Sequence, residues 1–225
     1  MDSQPALTDG REFCMNARHP SPSILAFSRK AAIFAGVYAA SLIGAQAQQG
    51  TPPQDGPLQP GEAVVTRLPS VAAGGPQGAT IDVNGPVAVV IGVRNPQEPP
   101  QGQHWLYKPI RTAATAGQVG QVFGVALDDQ NPPNIYLTAT AAFGLHYSEG
   151  GWMQGMWGPG GGPGTVWRLD AASGYRNARP FADIRPNGRP NSAAALGNIA
   201  YDRINRQFFV TDMETGLIHR IGLHG

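Results

Sequence analysis

The stretch from Leu196 to Leu223, LGNIAYDRINRQFFVTDMETGLIHRIGL, constrains the fold more than any other, because its first half is echoed upstream at Val122 to Thr140. Ile199 and Tyr201 alternate with Asn198, Ala200 and Asp202 at period two, which predicts a strand. Arg203-Ile204-Asn205-Arg206 supplies a polar turn, and Gln207 to Asp212 (QFFVTD) has the aromatic and β-branched residues that suit a pleated surface. Thr215-Gly216 closes a second turn, since glycine takes positive φ freely, and Leu217 to Leu223 is a third strand.

Upstream, residues 122–128 (VFGVALD) match the first of these strands, 129–133 the turn and 134–140 (NIYLTAT) the second. The Asp that ends the first strand recurs as Asp128 and Asp202. Residues 164–170 (GTVWRLD) match the third strand, with 171–174 as its turn. Residues 178–184 (ARPFADI) read as a fourth, outer strand, where Pro180 is tolerated because an edge strand can lose a donor. Four strands per unit, meandering and repeated, is the pattern of a propeller blade. The expectation is an all-β fold, a β-propeller of four-stranded antiparallel blades, with blade-like units at about 62–118, 119–184 and 196–225.

Residues 123–140 (FGVALDDQNPPNIYLTAT) and 197–221 (GNIAYDRINRQFFVTDMETGLIHRI) resemble the repeats of NHL-type propellers and of SMP-30/gluconolactonase-like propellers. The resemblance covers roughly residues 120–223 and implies the propeller fold. It says little of activity, because propellers host many unrelated functions. The last unit stops after three strands, at Gly222-Leu223-His224-Gly225, and a propeller needs at least about four blades to close. The expectation is therefore a truncated propeller that is poorly soluble or oligomeric when expressed alone, because bare repeat faces and edges invite association.

The N-terminal segment, 1–47, reads as a signal peptide: Arg29-Lys30 precedes the apolar run Ala31 to Gly44, and Ala45-Gln46-Ala47 fits a cleavage site. The run is short and alanine-rich for a membrane span, though an anchor is the alternative. Met15 offers a cleaner start, since three acids precede it. Cys14 is the one cysteine and is lost with the segment, so thiol chemistry in the mature chain is excluded. Residues 48–61 are a Pro/Gly/Gln linker. Beyond residue 47, 12 Lys and Arg balance 12 Asp and Glu, with no basic stripe for nucleic acid and no polybasic patch for a membrane surface. Abundant glycine and proline, 30 and 21 residues, favour turn-rich β structure. Glu62 to Pro69 is a strand candidate, Asn84-Gly85 reads as a hairpin turn between apolar runs, and His104 to Pro109 is an aromatic cluster suited to packing on a sheet edge.

In a meandering blade the start of strand one and the end of strand two share one end. The long insert 141–164, AAFGLHYSEGGWMQGMWGPGGGPG, opens there. Long loops in compact domains are functional or disordered. His146, Tyr147, Glu149, Trp152, Met153, Met156 and Trp157 are its candidate ligand-binding residues; the alternative is that the tryptophans fold back as a plug. The glycines form no phosphate loop. Asn198 and Asp212 stand at the same end and are candidate Ca²⁺ ligands, the ion that the SMP-30-like resemblance implies. However, Asn198 follows Gly197 where those enzymes read Asn-Gly, and Asp212 could instead cap the turn 213–216. There is no G-x-S-x-G, and His219 shares a face with Leu217 and Ile221, which suits packing. Two functions follow as expectations: an exported binding or interaction module using the insert, or a Ca²⁺-dependent lactonase or related hydrolase.

Overall fold

A computed structural model of the chain describes residues 56–75, 78–94, 101–102, 109–145 and 150–225. The segment 1–47, the cluster from His104 to 108, and His146, Tyr147 and Glu149 lie outside the described residues. The fold is all-β and its sheets are antiparallel. In chain order the strands are β1 (Glu62–Thr66), β2 (Val71–Ala73), β3 (Ala79–Ile81), β4 (Pro86–Gly92) and β5 (Pro109–Thr115). A single helical turn, α1 (Ala116–Val119), leads into β6 (Val122–Leu127), β7 (Ile135–Ala139), β8 (Thr165–Leu169) and β9 (Ala178–Asp183). The chain closes with β10 (Leu196–Asp202), β11 (Gln207–Asp212) and β12 (Ile218–Gly222).

The central sheet is the meander β6-β7-β8-β9, with Pro180 on the edge strand β9. The last sheet is β10-β11-β12 and the first is β1-β4-β5, so four strands per unit holds for the central sheet, and three strands form the first and the last among the described residues. Between β1 and β4 the chain makes a separate hairpin, β2-β3. This corrects the reading of Asn84-Gly85 as a hairpin turn. β3 pairs with β2 while β4 pairs with β1 and β5, so the turn carries the chain from one sheet to another. Asp82 shapes it: its carboxylate accepts the Asn84 N–H at 3.0 Å and its carbonyl accepts the Gly85 N–H at 2.9 Å. An Asp side chain that bonds its own backbone two residues on makes a turn whichever strands flank it.

The same chemistry explains why Asp recurs at the end of the first strand. Asp128 accepts from the Asn134 backbone at 2.8 Å and the Asn134 side-chain amide at 2.7 Å. Asp202 accepts from the Asn205 amide at 2.7 Å and the Gln207 amide at 2.8 Å. In these two units one carboxylate ties the first turn to the start of the second strand.

The central sheet is covered on both faces. Ile135, Leu137, Trp167 and Leu169 pack with Val87, Val90 and Ala114 of the first sheet. Ala126, Tyr136 and Val166, on the opposite face, pack with Ile199, Phe208, Val210 and Ile221 of the last sheet. Every residue of β7 is buried for this reason, whereas β11 alternates buried and exposed. The first strands of the three units lie side by side, β6 packing against β1 and β10. Two threonine hydroxyls bridge neighbouring sheets: Thr66 of β1 donates to the Phe123 carbonyl of β6 at 2.7 Å, and Thr138 of β7 to the Gly197 carbonyl of β10 at 2.6 Å.

Candidate functional site

After β7 the chain leaves the central sheet and crosses to the β2-β3 hairpin before returning as β8. Backbone groups fix that path. The Gln154 carbonyl accepts from the Ile81 N–H at 3.0 Å and the Thr80 hydroxyl at 2.9 Å, and the Met156 carbonyl accepts from the Gln121 N–H at 2.7 Å. Gly158, at φ +73°, lies so close to α1 that a Cβ there would stand 2.7 Å from the Val119 carbonyl carbon and 2.8 Å from the Gly120 nitrogen. A side chain at 158 would push the segment off the helical turn, so glycine stands where the insert crosses that backbone.

A cleft of about 720 Å³ opens between this segment, the end of the β2-β3 hairpin and α1. Trp152, Met153 and Trp157 form one wall, and Thr80, Val83 and Gly117 the other. The two indole rings are half-buried and meet edge to face, with centroids 5.6 Å apart and planes at 71°. An aromatic pair in that geometry is held by its quadrupoles as well as by burial. Trp152, Met153 and Trp157 also rest against the core between the first two sheets, so packing and an accessible surface coexist in the same side chains. The lining residues carry no ionisable side chain among the described residues, so contacts there are apolar or made through hydroxyl, amide and backbone groups.

Of the candidates named from sequence, Trp152, Met153, Met156 and Trp157 come together here. Met156 is only 1 % exposed and belongs to the core, so its part is to seat the segment and not to meet ligand in the open. The opposite wall was not legible in the sequence. Thr80, Val83 and Gly117 lie far from the insert along the chain, and nothing in the segments that carry them points to the insert.

Asn198 and Asp212 are committed to separate local sets of bonds. Asn198 is exposed, and its side-chain oxygen accepts the Ile199 N–H at 2.9 Å. Asp212 is buried; its carboxylate accepts from the Asn191 amide at 3.1 Å, from the Glu214 N–H at 3.0 Å and from the Thr215 hydroxyl, with His219 Nε2 at 3.4 Å. Burial works against ionisation of Asp212. The Thr215 hydroxyl, the Glu214 N–H and His219 together outweigh it and hold the carboxyl below its usual range. Asp212 therefore caps the turn 213–216. Among the described residues no group of three His, Cys, Asp or Glu side chains stands close enough to hold a metal ion. Nor is any described helix long and apolar enough to cross a membrane.

No protein-family model, no curated protein and no solved structure matches the chain.

Proposed function

We propose that the chain is an exported, propeller-type binding module whose ligand sits in the cleft walled by Trp152 and Trp157. The propeller reading is supported by the repetition itself: adjacent first strands, a turn-forming Asp in two successive units, and threonine bridges from sheet to sheet. Export rests on the leader at 1–47 and its Ala45-Gln46-Ala47 site. The observation that carries the binding function is the half-buried, edge-to-face tryptophan pair on an apolar cleft large enough for a small ligand. Such a wall suits an uncharged ring or an apolar side chain, because a charge moved there would lose water without gaining a counter-ion.

The test uses the neutral fluorescent probe N-phenyl-1-naphthylamine. The chain should bind it, and Trp157→Ala and Trp152→Ala should each weaken binding at least about tenfold, in line with loss of an anchoring aromatic. Melting temperature separates the alternatives. If each substitution costs on the order of 3 kcal/mol of stability while probe binding persists, the tryptophans are a plug and the cleft is not the site.

A further inference from the structure

Arg168 on β8 stands directly opposite Arg179 on β9. Like charges set opposite each other in an antiparallel pair destabilise it. One carboxylate stands between them: Asp170 Oδ1 lies 2.8 Å from Arg168 Nε, and Asp170 Oδ2 lies 3.4 Å from Arg179 Nε. The Arg168 Nε is buried and has no hydrogen-bond partner, so its N–H is not aimed at the carboxylate it pairs with. Asp170 thus supplies one negative charge for two guanidinium groups and leaves this donor unused.

The two arginines open on a crevice of about 290 Å³ between β8-β9 and the turn that follows β12. Pro180, Phe181, Leu223 and His224 complete its lining, and no lining side chain is acidic. A bulge places the aromatic wall. The β8-β9 register skips Phe181, and its ring meets those of Tyr136 and Phe208 edge to face, with centroids 4.9 and 5.8 Å away. Bulges re-aim a side chain in this way. Phe181 and Leu223 both rest against the core between the central and last sheets, so the apolar wall has a fixed place beside the charged one.

We infer that this crevice binds a small organic carboxylate, held by Arg168 and Arg179 with its apolar body against Phe181 and Leu223. The two oxygens of a carboxylate match the forked N–H groups of a guanidinium. Its charge also offsets the repulsion between the opposed arginines, which Asp170 alone does not balance. The volume lies at the small end of ligand pockets, which suits a compact molecule and not a polymer. The crevice shares no residue with the tryptophan cleft and does not depend on that reading.

Benzoate is the probe, titrated calorimetrically into the full chain at low ionic strength. Benzamide serves as its neutral counterpart, and inorganic phosphate as an anion with no apolar body. Benzoate should bind, with benzamide at least about tenfold weaker; Arg168→Gln and Arg179→Gln should each weaken benzoate about tenfold, because each removes a charge-assisted hydrogen bond. Benzoate should raise the melting temperature of the native chain and leave that of Arg179→Gln unmoved. The Arg179 side chain is 57 % exposed, so this variant keeps the test decisive where Arg168→Gln fails to fold. Absence of benzoate binding overturns the inference and reduces the arginines to partners of Asp170. Benzamide binding as tightly as benzoate overturns it too, as does phosphate binding more tightly than benzoate. Competition between benzoate and N-phenyl-1-naphthylamine would place the probe in the tryptophan cleft, which also overturns it.

Discussion

Asp202 shows how one residue type, placed at the end of a strand, writes a turn. Its carboxylate collects the Asn205 amide, the Gln207 amide and backbone N–H groups, and these bonds bring its pKa down to about 2. The folded value lies below that of an unfolded Asp, so the unfolded chain takes up the proton first as pH falls. The stabilisation is full above about pH 4 and is lost as pH drops through 2. Following the Asp202 carboxyl carbon by NMR should give a midpoint near 2; a midpoint near 4 would mean that the turn bonds do not persist in solution.

At the level of elements, the first sheet is held across its middle strand. Arg111 on β5 and Glu62 on β1 flank β4 and meet in a two-pronged pair, both bonds 2.8 Å long, with side chains only 6 % and 13 % exposed. The hydrogen bond from Arg111 outweighs burial and holds the Glu62 carboxyl below its usual range. Removing one partner strands the other charge with little water, so Arg111→Ala should cost about 3 kcal/mol. Replacing both, Arg111→Met with Glu62→Leu, should recover most of the loss, because an apolar pair leaves no buried charge without its counter-charge. Urea denaturation measures both. A loss below about 0.5 kcal/mol for Arg111→Ala would show that water reaches the pair and screens it.

For the whole molecule, cover decides the order of opening. The central sheet has a core on each face, whereas the last sheet has one. Backbone amides of 135–139 and 165–169 should therefore exchange at the slowest rates, and those of 207–222 faster, since local stability follows buried apolar contact. Hydrogen exchange followed by mass spectrometry reads this directly. Equal protection in the central and last sheets would show that something covers Phe209 and Ile218 in solution.

The sequence by itself determined the strands of the central and last sheets, their turns and their order. Each of these follows from local physics: period-two alternation over QFFVTD, an Asp at the strand end, a glycine where φ must be positive, a proline on an edge. The observed Gln207–Asp212 falls where those signals place it, and Ala178–Asp183 ends one residue before the expected Ile184. The Asn84-Gly85 turn marks the limit, because turn chemistry fixes a reversal of the chain but not which strand its neighbours pair with. Only the tertiary structure decided that β3 and β4 part company, that Met156 is core while Trp152 and Trp157 line a cleft, and that Tyr136 is covered where Phe209 is open. Those outcomes depend on contacts between residues tens of positions apart, whose free energy comes from shared burial and not from any property of the segment read alone.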